Sequence, residues 1–167
     1  PSALQRCFGY RTVRRVDVTT GAEPDVVRAI GNLTQLRELT FRVPQQLGRV
    51  RAEAIPPPQL ATDAFDCILR GHSIRSLALY HFPLTERAAQ TLLDHGTIEH
   101  LTLCDISLTE AAMADILRLP DLRSVRVSSC GITGANVASI GNKTLETLYL
   151  LEDNVSLSVA RFIASSD

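Results

Sequence analysis

Apolar residues recur along this chain in the order apolar-x-x-apolar-x-apolar, six times over. The segments are Val13-x-x-Val16-x-Val18, Leu36-x-x-Leu39-x-Phe41, Ile74-x-x-Leu77-x-Leu79, Ile98-x-x-Leu101-x-Leu103, Leu122-x-x-Val125-x-Val127 and Leu145-x-x-Leu148-x-Leu150. The alternation closing each segment predicts a short strand with one buried face. The starts are evenly spaced from Val13 to Leu145, except for one long interval between Leu36 and Ile74. A second pattern fills the spaces between: Leu84, Leu108, Ile132 and Val155, each followed in its unit by Leu92, Ile116, Ile140 or Ile163. Midway between the two stands a mostly small residue, Ala88, Ala112, Asn136 or Val159. Spacings of four and eight put these side chains on one helical face that packs against the strands. Thr62-Asp63, Thr85-Glu86 and Thr109-Glu110 each supply a hydroxyl for an N-cap and a carboxylate for the first helical turn. The pattern therefore predicts an α/β solenoid of about six strand–turn–helix units. Its curved parallel sheet would lie on the concave side and its helices on the convex side.

The long interval can be dissected by the same spacing. Leu60 precedes Ile74 by the same separation as Leu84 precedes Ile98, so the extra chain falls between Phe41 and Leu60. Residues 42–59 are read as an insertion loop at the rim, carrying Arg42, Pro44, Arg49, Arg51 and the run Pro56-Pro57-Pro58. The loop is either a connection without a task or a contact loop, since loops often carry binding. The three prolines favour a short polyproline segment. Residues 1–12 read as an N-terminal cap or flank, and the whole of 1–167 as one domain. Another period would begin just past Asp167, and no polar capping unit is visible, so the chain reads as a fragment of a longer protein.

These units resemble leucine-rich repeats from Val13 onward. The short-period version with a helix in each unit is similar to the GALA-type repeats of type III effectors that plant-pathogenic bacteria inject into host cells. The stretches "LETLYLLEDNVSLSVARFIASSD" and "IGNKTLETLYL" carry that resemblance. It implies a virulence protein secreted by a bacterium into the host cytoplasm, engaged in a host–pathogen interaction. GALA-type proteins also carry an F-box that recruits a host ubiquitin ligase. No F-box is evident here, so the resemblance implies only the target-recognition portion. The usual Asn three residues after the last strand leucine is replaced by Phe82, Ile106, Cys130 and Asp153. Those turns are expected to be held by apolar packing.

Composition narrows the function classes. With 17 basic and 18 acidic residues the net charge is −1, which excludes a wholesale electrostatic binder of nucleic acid. Apolar residues make up 45 % of the chain, enough to bury a core. No apolar run reaches the length of a membrane span or a signal-peptide core, so no membrane partner is expected. Residues 1–60 hold nine basic and five acidic residues, and 61–167 eight and thirteen, a dipole that can orient an approaching partner. Lys143 is the only lysine. Genomic base composition explains that, or avoidance of acceptor lysines beside a ubiquitin ligase. Cys7, Cys67, Cys104 and Cys130 lack metal or disulfide spacing and suit a reducing compartment, packing as small hydrophobes.

Side chains between the strand leucines should point away from the helices. They form the candidate binding face: Arg15, Asp17 and Thr19; Glu38, Thr40 and Arg42; Ser76, Ala78 and Tyr80; His100, Thr102 and Cys104; Ser124, Arg126 and Ser128; Thr147, Tyr149 and Leu151. Tyr and Arg are enriched at binding hot spots, so Tyr80, Arg126 and Tyr149 are the expected anchors for a protein partner. Two other classes stay open. One is a thiol-dependent enzyme using Cys104 with His81. His100 is four strand residues from Cys104, about 13 Å at ~3.3 Å per residue, too far to act, and no orienting carboxylate or oxyanion hole is evident. The other is a self-associating element, a monomer that stacks weakly through an uncapped C-terminal repeat. No cofactor or metal is expected: no phosphate-binding glycine loop appears, Gly131 and Gly134 are assigned to a weak helix, and the histidines and cysteines lack ligand spacing. Asn32, Asn142 and Asn154 head N-x-S/T triplets, but two of them share one point of the repeat, which explains them without a sugar.

Overall fold

The computed structural model describes residues 12–18, 29–43, 58–82, 84–133, 135–136 and 145–151. Six strands form one parallel sheet in chain order: β1 Arg15–Val18, β2 Glu38–Arg42, β3 Ser76–Tyr80, β4 His100–Cys104, β5 Ser124–Ser128 and β6 Thr147–Leu151. Helices fall between them, among them α1 Pro58–Gly71, α2 Glu86–His95 and α3 Glu110–Ile116. Each strand pairs only with its sequence neighbours, an arrangement compatible with an α/β solenoid.

The apolar columns of the sequence become the core. Val16, Leu39, Leu77, Leu101, Val125 and Leu148 are consecutive partners across the sheet, and so are Val18, Phe41, Leu79, Leu103, Val127 and Leu150. From Leu39 to Val127 these side chains are buried, together with Phe65, Ile68 and Leu69 of α1, Ala88 and Leu92 of α2, and Met113 and Ile116 of α3. The helices thus cover one face of the sheet and leave the other open.

Turns follow the same period. Phe82, Ile106 and Cys130 are buried, so apolar side chains do fill the position expected for the missing Asn. Phe41, Phe65 and Phe82 stack edge-to-face or tilted, with centroids 5.2–6.0 Å apart, where α1 meets the sheet. One residue after the strand, His81, Asp105 and Ser129 adopt left-handed φ of 51°, 52° and 52°. Their amides continue the ladder, donating to the carbonyls of Cys104, Ser128 and Leu151 at 2.9, 3.0 and 3.1 Å.

Helix starts repeat as well. The Oγ1 atoms of Thr85 and Thr109 accept from the amides of Ala88 and Ala112, both at 3.3 Å. Thr133, one period on, accepts likewise from Asn136 N at 3.4 Å, although the sequence pattern does not mark it as a cap. Asn136 occupies a column of mostly small residues, yet it is a buried clamp between units. Its Nδ2 donates to Glu110 O at 2.9 Å while its Oδ1 accepts from Thr133 N at 3.0 Å.

Other expectations are corrected. Thr62 does not open its helix: α1 begins at Pro58, whose fixed φ and missing amide suit a first helical turn. Pro58 and Gln59 therefore belong to α1 and Arg42 ends β2, which shortens the insertion at both ends; residues 44–57 lie outside the described residues. Gly131 is not helical but sits in the turn after β5 at φ 67°. Cys67 is exposed and Cys104 half-buried, leaving only Cys130 among the described thiols as a core hydrophobe. The residues 1–11, Thr19, Gly134, Asn142, Lys143 and 152–167 also lie outside the described residues.

Two polar contacts tie helices to neighbouring units. Asp66 of α1 is buried, accepting from Thr91 Oγ1 of α2 at 2.8 Å, with Arg87 Nε 3.0 Å from its other oxygen. His95, the last residue of α2, accepts at Nε2 from the amide of Ile74 at 3.1 Å, and Thr97 Oγ1 donates to the Ile74 carbonyl at 3.1 Å. Burial of His95, and then the nearby His72, hold its pKa below the ordinary 6.5. A histidine kept neutral in the fold contributes stability that is whole above about pH 6.5 and is lost as pH falls through its lowered folded pKa. Denaturant midpoints should therefore fall between neutral and mildly acidic pH, and His95→Gln should flatten that slope; equal slopes would contradict the assignment. Asn136→Ala should cost about 1–3 kcal/mol in the same measurement, because it orphans buried polar groups of two units.

Candidate functional site: the open face of the sheet

The open face is built from three parallel rows. Arg15, Glu38, Ser76, His100, Ser124 and Thr147 are consecutive partners in the first. Asp17, Thr40, Ala78, Thr102, Arg126 and Tyr149 form the second, and Arg42, Tyr80, Cys104, Ser128 and Leu151 the third. All eight singled-out residues, Arg15, Asp17, Glu38, Arg42, Tyr80, His100, Arg126 and Tyr149, therefore project on one side of the sheet. Tyr80 is half-buried and the other seven are exposed.

Ion pairing divides that face. Arg15 lies 3.6 Å from Asp17 and 3.8 Å from Glu38, so the charges of β1 and β2 largely answer one another. On β3 to β6 the face carries no carboxylate, and its cations are Arg126 and, when protonated, His100. Arg42 reaches across from β2 to lie 4.5 Å over the Tyr80 ring, which holds both side chains in place. Arg126 is the direct partner of Tyr149, which is 55 % exposed beside Leu151 at 41 %. These two are the large hydrophobics most open to water among the described residues. A guanidinium flanked by exposed aromatic and aliphatic surface has the chemistry of a binding anchor. Arg42 stacks on Tyr80, while Arg126 and Tyr149 are register partners on neighbouring strands.

At the edge of this face Asp105, whose place next to Cys104 the sequence shows, also meets His81, which the sequence does not show. Asp105 Oδ2 lies 3.3 Å from His81 Nδ1 and accepts from Cys104 Sγ at 3.3 Å. The three side chains meet because the left-handed turns at His81 and Asp105 stack one above the other. In a thiol nucleophile the imidazole accepts the S–H proton and the acid orients the imidazole. Here the thiol donates to the acid. The geometry ties two turns together through the Asp105 carboxylate. Among the described residues no group of three or more His, Cys, Asp or Glu side chains could hold a metal ion. No helix among them is long and apolar enough to cross a membrane.

The turn geometry yields a test. Asp tolerates left-handed φ and Gly prefers it, whereas a β-branched residue there is strained. Asp105→Gly keeps the backbone unstrained and gives up only the contacts to His81 and Cys104, so it should cost less than Asp105→Val in thermal unfolding. Asp105→Val should cost about 1–2 kcal/mol.

Compared with known proteins, the chain matches no family model and no curated protein.

Proposed function

We propose that this chain is a non-catalytic protein-recognition module, a leucine-rich repeat solenoid that binds its partner along the concave, open face of the sheet. The observation that carries this reading is the exposed Arg126–Tyr149–Leu151 corner, continued across the face by Tyr80 under Arg42. Exposed aromatic surface next to a guanidinium favours a protein partner over a small solute, because it offers area rather than enclosure. The direct bond from the Cys104 thiol to the Asp105 carboxylate weighs against the thiol-enzyme alternative. The resemblance to GALA-type repeats extends the reading: the chain would be the target-binding portion of a bacterial effector acting in host cytoplasm. Recruitment of a ubiquitin ligase would belong to another part of such a protein. That extension rests on the resemblance alone.

The test compares the native chain with a Tyr80→Ala, Arg126→Glu, Tyr149→Ala variant as bait in plant and animal lysates, read by mass spectrometry. These positions lie outside the core, so folding stability should change little, within about 0.5 kcal/mol for each exposed site. Partners lost specifically with the variant support recognition by this face. With a purified partner, Tyr149→Ala alone should then weaken binding by about 2 kcal/mol, the loss typical of a hot spot. Identical protein lists from both baits overturn the proposal. A molecular mass that rises with concentration would favour self-association instead.

A further inference from the structure

The residue just before each strand forms a row of its own. In chain order it reads Arg14, Arg37, Arg75, Glu99, Arg123 and Glu146. Backbone bonds stitch the row together: the amides of Arg37, Arg75, Glu99, Arg123 and Glu146 each donate to the carbonyl of the preceding member at 2.7–2.8 Å. The last four members of the row neutralise one another, with Arg75 2.9 Å from Glu99 and Arg123 2.6 Å from Glu146. The first two do not. Among the described residues Arg14 and Arg37 make no ion pair, and Arg37 Nη1 only donates to its neighbouring carbonyl, Leu36 O, at 3.0 Å.

Arg14, Arg37 and Arg75 line an open groove of about 650 Å³, joined there by Thr34 and Gln35 from the turn before β2. Its volume is that of a small-ligand site. Adjacent strands stand about 4.8 Å apart, so the guanidinium groups of Arg14 and Arg37 come within reach of one multivalent anion, with Arg75, which it would share with Glu99, beside them. A guanidinium presents a planar fork of donors, and a single carboxylate satisfies only one such fork. A phosphate monoester offers three acceptor oxygens and nearly two charges at neutral pH, which suits the unpaired Arg14 and Arg37, the Arg75 fork shared with Glu99, and a hydroxyl and an amide beside them. The row turns acidic at Glu99, so the basic run is too short to follow a polynucleotide backbone.

We propose that this groove binds a phosphate monoester, presented as a phosphorylated side chain by the protein that the open face recognises. The groove lies one residue from Arg15 and Glu38 of that face, so one partner can span both. The inference rests on the proposed function only for what carries the phosphate, not for the anion site itself.

The experiment follows the arginine Nε–Hε signals of the whole chain by NMR during titration. The probes are inorganic phosphate, a short phosphoserine peptide, its Ser and Asp counterparts, and a single-stranded oligonucleotide. Arg126, exposed on the same sheet and outside the groove, is the internal control. The expected result is a saturable shift at Arg14, Arg37 and Arg75, strongest with the phosphopeptide. Arg14→Gln and Arg37→Gln should each weaken it about tenfold, the loss of one charged hydrogen-bonding partner. Both side chains lie outside the core, so either variant keeps the readout if the other fails to fold. Shifts at the groove no larger than at Arg126 overturn the anion site. An Asp peptide binding as tightly as the phosphopeptide overturns the choice of phosphate. Free phosphate or the oligonucleotide binding as tightly as the phosphopeptide overturns the protein carrier. The Tyr80, Arg126 and Tyr149 variant should keep the groove response, so a failed partner capture and a failed anion site are told apart.

Discussion

Everything in this molecule depends on parallel strands that pair in register, unit after unit. Because Leu39 faces Leu77, and Leu77 faces Leu101, the side chains of every unit fall into the same columns. A slip of one residue in any strand would turn its leucines to water and its polar residues onto the helices. The register is held by backbone bonds at the entry of every strand and at the exits of the later ones. Those from the row beginning at Arg14 pin the entry, and those from the left-handed turns at His81, Asp105 and Ser129 pin the exit. The open face, the Arg–Tyr pairs and the arginine groove are different consequences of that one alignment.

Much of this is legible in the sequence because it is local and periodic. The six apolar triplets identify the strands, their order and both faces, and even the apolar substitutes for the missing Asn read as turn fillers. What escapes such reading is what depends on contact between units. Asn136 looks like an interruption in a column of small residues, and only the approach of Glu110 O makes it a clamp. Asp105 is legible as the neighbour of Cys104, but its contact with His81 appears only when the turns stack. The arginine row needs the strands in register before Arg14, Arg37 and Arg75 become neighbours. Pro58 misleads for a local reason: a run of three prolines suggests an extended segment, but the last of such a run is also well shaped to begin a helix.

The charges are partitioned rather than balanced. The dipole between residues 1–60 and the rest of the chain is resolved by the structure into distinct sites. Arg15 is answered on the sheet by Asp17 and Glu38, while Arg75 and Arg123 are answered along the entry row by Glu99 and Glu146. Buried Asp66 draws Arg87 from the next helix. Among the described residues, what is left uncompensated at the first two strands is a short basic patch, and on β3 to β6 a face with a cation and aromatic surface but no acid. The near-zero net charge conceals this division, which is why total charge says little about what a surface can hold.

The one irregular interval, from Leu36 to Ile74, is more than half as long again as the others, and this has an entropic consequence. Closing a longer loop costs more chain entropy, but only logarithmically with length, so the difference amounts to about 0.4 kcal/mol. Against the burial of Phe41, Phe65 and Phe82 at that junction, such a penalty is small. Chain length can therefore vary between β2 and α1 at little expense to the sheet. Deletions within a strand or a helix have no such latitude, because they would break the register itself. The fold thus confines tolerance for added sequence to one seam, immediately beside the Arg42–Tyr80 end of its open face.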